Sequence, residues 1–104
     1  MSQCCQKQYE CITSSVDNWN KWRKDNPDKP VLLEKADLKD QDLQCADLRD
    51  AKLAHARLQH AVLKRANLRG ANLHWAHVNG TDFAGAHLEG AEFNGARVDG
   101  ETRL

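Results

Sequence analysis

From Val31 to Gly100 apolar positions recur with a period of five, which is neither the 3.6 of a helix nor the 2 of a strand. The third residue of each pentad is Leu33, Leu38, Leu43, Leu48, Leu53, Leu58, Leu63, Leu68, Leu73, Val78, Phe83, Leu88, Phe93 or Val98. The first is alanine everywhere except at Val31, Gln41 and Thr81, and the other three positions are mostly charged, amide, histidine or glycine. The rhythm holds for about fourteen pentads without insertion or deletion. A strict short period means one structural unit repeated, each copy able to bury its apolar side chain only against other copies. The pentads must therefore stack, with the third residue inward, alanine beside it, and the second, fourth and fifth positions facing water.

Runs such as "ADLRD", "ANLRG", "ANLHW", "AHLEG" and "AEFNG" resemble the pentapeptide-repeat proteins over roughly two thirds of the chain. The resemblance implies an all-β solenoid, a right-handed quadrilateral β-helix in which four pentads make one square coil. About 3.5 coils stacked at the inter-strand spacing of roughly 4.8 Å would stand about 17 Å tall. If residues three, four and five of one pentad and residue one of the next form each corner, a type II turn needs a positive φ at the fifth residue, which glycine adopts at least cost. Glycine holds that place at Gly70, Gly80, Gly85, Gly90, Gly95 and Gly100, but not at Lys35, Asp40, Cys45, Asp50, His55, His60 or Arg65. A change of turn type near residue 70 is therefore expected, with type II corners concentrated in the later half and Trp75 an exception.

The composition divides the chain into residues 1–30, a helical cap and linker; 31–100, the repeats; and 101–104, a short tail. Cys5, Tyr9, Ile12, Val16, Trp19 and Arg23 follow one another at alternating spacings of four and three, one face of a helix, with Trp22 adjoining it. Thr13, Ser14 and Ser15 weaken its middle, so a shorter helix with Ser15 as N-cap is the alternative. Pro27 and Pro30 stop the helix before the coils begin. A solenoid needs its end covered, and Tyr9, Ile12, Val16, Trp19 and Trp22 are the residues expected to cover the first coil. "DNWNKWRKDNPDKP" also resembles the tryptophan-containing leader of many bacterial pentapeptide repeats. Ligand binding by the two tryptophans is the alternative to packing. At the other end "ETRL" is too short to cover Leu88, Phe93 and Val98, and the resemblance implies a tail-to-tail homodimer through that face.

Total formal charge is zero, but its distribution is banded. Residues 31–50 carry a net of −3, residues 51–70 hold Lys52, Arg57, Lys64, Arg65 and Arg69 without an acid, and residues 71–100 return to −3. With residues twenty apart stacked, Asp37 lies under Arg57 and Asp40 under His60, while Arg49 stacks on Arg69. The belt is then either a partly paired, solvated surface or a contact patch for an anionic partner, and Arg57, His60, Lys64, Arg65, Arg69 and Trp75 are the candidate contacts. Balanced total charge argues against generic nucleic-acid binding.

Catalysis is not expected: Asp40 with His60 lacks a nucleophile, His55 beneath Trp75 lies in no evident cleft, and a core of leucine and alanine leaves no interior pocket. No cofactor is implied, and surface imidazoles on different sides are not expected to converge on a metal. Cys4, Cys5, Cys11 and Cys45 read as free thiols in a reducing compartment, ahead of a metal site at Cys4, Cys5 and Cys11 or a lipid at Cys4 or Cys5. With no run apolar enough to span a membrane and no secretory segment, a cytoplasmic protein is expected. The function that follows is a non-enzymatic scaffold or protein-interaction module. The alternative, carried by the resemblance, is modulation of DNA gyrase through mimicry of duplex DNA, which calls for an acidic, longer rod.

Overall fold

The computed structural model describes residues 5–104. Cys4, with its share of the cysteine readings, lies outside them. Two helices precede the coils, α1 (Gln6–Ser14) and α2 (Val16–Asp25), where continuous helical spacing predicts one. The break is Ser15, extended at φ −168° and ψ 154°, whose hydroxyl accepts the Asn18 N–H at 3.0 Å and caps α2. Thr13 and Ser14 hydroxyls bond back to the carbonyls of Tyr9 and Cys11, the competition with backbone bonding that such residues offer. Both the one-face spacing and the Ser15 cap are therefore present, on two helices that share a buried side.

From residue 31 the second residue of each pentad pairs in parallel with the residue twenty further on: Leu32 with Lys52, Asp37 with Arg57, Asp42 with Val62, Asp47 with Asn67, and so upward. One coil is thus four pentads. Each side from residues 31–35 to 71–75 makes three backbone bonds to the next coil, as where Leu53 N–H donates to Asn72 O at 2.8 Å, His55 N–H to His74 O at 2.9 Å, and Asn72 N–H to Ala51 O at 2.9 Å. The third-position side chains from Leu33 to Phe83 are at most 1% exposed, and the alanines beside them are equally buried through Ala76. Thr81 takes an alanine position without cost because its hydroxyl donates to Leu58 O at 2.6 Å.

The expected change of turn type near residue 70 does not occur. φ is positive at the fifth position from Lys35 (62°) through Arg65 (60°) and Trp75 (57°) to Gly95 (73°), whereas Gly100, expected to share it, is not left-handed because the chain turns at Asp99–Thr102. Every such corner closes with the third residue's carbonyl accepting from the first residue of the next pentad, as in Ala66 N–H to Leu63 O at 3.1 Å. The reason is the ladder. From Lys35 to Trp75 the fifth N–H rises to the fourth carbonyl of the coil above, as Arg65 N–H does to Ala84 O at 3.0 Å, and the left-handed conformation goes with that register whatever the side chain; at Gly85, Gly90 and Gly95, which lack the ladder bond, glycine adopts it at least cost.

The cap seats on the first coil along all four sides. Trp19 is fully buried, stacks on Trp22 at 5.3 Å, and donates from its indole to Asp47 O at 2.9 Å. Ile12 is buried with it, while Tyr9, Val16 and Trp22 are half-buried, and the Tyr9 hydroxyl donates to Asp37 O at 2.9 Å. Three polar residues complete the edge. Gln8 donates to Pro30 O and accepts Leu32 N–H at 2.6 Å; Asn20 donates to Cys45 O and accepts Asp47 N–H; Arg23 donates to Arg49 O at 2.7 Å.

At the far end the tail continues the coil as part of one more side. Asp82 pairs with Arg103, a separation of twenty-one, and a turn at Asp99–Thr102 absorbs the extra residue. Thr102 repeats the Thr81 device, donating from its hydroxyl to Val78 O at 2.8 Å. No helix of the described residues is long and apolar enough to cross a membrane.

Candidate interaction surfaces

The twenty-residue period redistributes the belt. Lys52 lies on the first side of the coil and Arg57 on the second, with His60 at the corner after it. Lys64 and Arg65 share the third corner, Arg69 stands at the fourth, and Trp75 sits one coil higher at the first. The candidate contact residues therefore encircle the barrel, and only Lys64 with Arg65 are close neighbours among them.

Several belt charges are met by carboxylates one coil away or in the same pentad. Arg69 reaches Glu89 and touches His87 Nδ1 at 3.1 Å, and its hydrogen bond holds the Glu89 carboxyl below the usual range. Lys64 Nζ lies 3.8 Å from Asp82. Arg49 does not confront Arg69; it folds back in a two-pronged contact with Asp47 at 2.9 Å. Burial of Asp47 works against its ionisation, but hydrogen bonds from Arg49 and the charges of Arg23 and Arg49 outweigh it, and the carboxyl sits below its ordinary value. Asp40 and His60 form no hydrogen bond or ion pair among those of the described residues.

The second side holds a different cluster. Asp37, Arg57, His77 and Arg97 form one vertical column of parallel-paired positions. Beside it, at the first corner, stand Lys35, His55 and Trp75. Lys35, Asp37, His55, Arg57 and His77 line a shallow groove of about 390 Å³. Lys35, Arg57 and Arg97 make no ion pair among the described residues. Partial burial, then Arg97, Arg57 and His55, push the His77 imidazole below its ordinary pKa. Trp75, 54% exposed, lies over His55 with rings 5.4 Å apart and 13° from parallel, and its edge meets His74 at 5.7 Å. Its indole also crosses Gly95, where an added Cβ would come within 2.4 Å of the ring. Nε2 of His74 lies 3.1 Å from Glu92 Oε1 without hydrogen-bonding alignment.

The open end is apolar. Val78, Phe83, Leu88, Phe93, Val98 and Leu104 line a bowl of about 680 Å³, with Phe83 and Phe93 edge to face at 5.8 Å. Leu88 and Phe93 are half-buried, whereas Val98 is 63% and Leu104 83% exposed. Sequence reading names Leu88, Phe93 and Val98 for this face but misses Leu104, because the one-residue slip before Thr102 is invisible to a strict period of five. Gln8 and Asn20 are also missed at the cap; their one signal is that Gln8 stands four residues before Ile12 and Asn20 adjoins Trp19. Among the described residues Cys5, Cys11 and Cys45 are unpaired, and no group of three or more histidine, cysteine or acidic side chains is placed to hold a metal.

A family model described as pentapeptide repeats matches residues 32–70 and 66–100, in eight copies. No curated protein matches the chain. Among solved structures, a pentapeptide repeat protein from the cyanobacterium Cyanothece 51142 is similar at 33% identity over 67% of this chain and 44% of that one, with a TM-score of 0.37. A pentapeptide repeat protein from Nostoc Pcc 7120 is similar at 28% identity over 69% of this chain and 68% of that one, with a TM-score of 0.39. The chain thus spans under half the length of the first of these relatives.

Proposed function

This chain belongs to the pentapeptide-repeat family, and from that premise we propose that it is a non-enzymatic scaffold, a right-handed quadrilateral β-helix whose sides present fixed side chains to a protein partner in the cytoplasm. The observation that carries this reading is the filled interior. Third-position residues close the axis from Leu33 to Phe83, so chemistry has only the outer surface to use. Arg57, His60, Lys64, Arg65, Arg69 and Trp75 are the proposed contacts, and any one flat partner meets only those on a single side. The apolar bowl is the proposed surface for self-association, with Leu88, Phe93, Val98 and Leu104 packing on a second copy. The gyrase-mimic alternative finds no observation of its own here, since the middle coil carries five bases and no acid.

Sedimentation equilibrium tests the paired end. The wild type is expected to dimerise in the micromolar range, and Phe93→Glu to be a monomer with an unchanged circular dichroism spectrum. A wild type that stays monomeric at several hundred micromolar refutes the pairing. Capture of host proteins by the wild type, compared with Arg57, Lys64, Arg65 and Arg69 all changed to glutamate, tests the contact surface.

A further inference from the structure

We propose that the groove between the first corner and the second side is a binding site for a phosphoryl anion, held by Lys35, His55, Arg57 and His77. The inference comes from residues that the coil assembles from three levels, and it does not depend on the scaffold reading. Lys35 belongs to the first coil, His55 and Arg57 to the second, and His77 to the third, yet all four line one groove of about 390 Å³. Arg49, Lys64 and Arg69, on other sides, have carboxylates in contact; Lys35 and Arg57, like Lys52 and Arg65, have none among the described residues, but only Lys35 and Arg57 share one groove with two histidines. Arg97 extends the same column beyond His77, so positive charge flanks that imidazole both above and below. The depressed proton affinity of His77 has Arg97, Arg57 and His55 among its causes after burial, which is the electrostatic mark of a site short of an anion.

Donor geometry selects the ligand class. Lys35 and His55 stand at the corner and Arg57 and His77 on the side, so donor groups border the groove on two edges. A carboxylate offers two oxygens in one plane, whereas a phosphoryl group offers three terminal oxygens spread over a hemisphere, and a guanidinium fork can take two of them. Asp37 sits at the foot of the groove, its Oδ1 accepting Lys39 N–H at 3.3 Å. Its charge opposes the anion, so removing it should tighten binding. A purely structural Asp37–Arg57 pair predicts no such gain.

The test follows the imidazole resonances of the five histidines by NMR while inorganic phosphate, or O-phosphoserine in a parallel arm, is added at constant pH and ionic strength, with acetate as control. Saturable shifts are expected at His55 and His77 and not at His74 or His87. Arg57→Gln should weaken the response roughly tenfold, and Asp37→Asn should strengthen it several-fold, by the loss or relief of one charge-assisted contact. Saturation by either phosphoryl compound supports the site, and the tighter of the two indicates whether a free anion or a phosphorylated side chain is its source. Shifts that never saturate, that are equal at all histidines, that survive Arg57→Gln, or that acetate reproduces at the same concentrations would overturn it.

Discussion

Replacing Arg65 by glycine should stabilise the protein, although it deletes an exposed charged side chain and nothing else. Arg65 holds φ at 60° because its N–H is bound to Ala84 O at 3.0 Å, and it forms no ion pair among those of the described residues. The left-handed conformation costs a non-glycine residue about 1–2 kcal/mol. Glycine removes that cost but adds roughly 0.5–1 kcal/mol of unfolded-state freedom. The net gain is then on the order of 0.5–1 kcal/mol. Gly85, one coil above in the same corner column, is the converse. There φ is 71°, and an added Cβ would meet only Arg65, its Cγ at 3.4 Å and its N at 3.9 Å, so Gly85→Ala takes on the conformational cost without a clash. It should lose about 0.5–1 kcal/mol on the same reasoning. Urea denaturation reads both. With a slope of about 1–3 kcal/mol per molar, the two midpoints should move in opposite directions by roughly 0.2–1 M. If Arg65→Gly lowers the midpoint, the ladder does not hold Arg65 in a costly conformation; if Gly85→Ala leaves it unmoved, the corner above carries no such cost.

Leu63→Asp should unfold or aggregate the barrel, because it buries an unpaired carboxylate at a site with 0% exposure and costs several kcal/mol, whereas Arg65→Asp should leave the circular dichroism spectrum unchanged. Asp47 has a folded-state pKa below its unfolded value, so its contribution is fully present above about pH 4 and is lost as pH falls through the lower folded pKa. Asp47→Asn should therefore flatten the acid limb of a stability-against-pH curve; an unchanged limb would remove the Arg23–Asp47–Arg49 cluster from the cap's stability.

Much of the fold is legible because a period of five leaves a single inward position, and Leu33 to Phe83 occupy it without exception. Pro27 and Pro30 likewise mark where helix must stop, and Trp19 marks what must cover the first coil. What is not legible is set by contacts between coils. Preference for glycine suggests two kinds of corner, but the ladder bond at Arg65 and its equivalents gives one conformation to Lys35 and Gly70 alike. The slip at Asp99–Thr102 follows from a local turn that no periodic reading contains. Charge shows the same limit most plainly. Read along the chain, Arg57, Lys64, Arg65 and Arg69 form one band; folded, they face different sides, and Arg57 keeps company with Lys35 and His77 instead. Stacking at twenty residues is foreseeable, but which side chains then pair, as Arg49 does with Asp47 and Arg69 with Glu89, depends on rotamers the sequence does not state.

That regrouping rests on one geometric claim, that each coil is four pentads and that residues twenty apart are neighbours. Scalar coupling across hydrogen bonds, measured by NMR from backbone nitrogen to carbonyl carbon, reports the pairing directly. Arg57 N should couple to Ala36 C′, Asn72 N to Ala51 C′ and His77 N to Ala56 C′, the acceptors of bonds that are each 2.9 Å long. Couplings at that constant offset of twenty-one establish the coil and with it the columns of the second side. Couplings at another offset, or rapid solvent exchange at these three amides, would contradict the account.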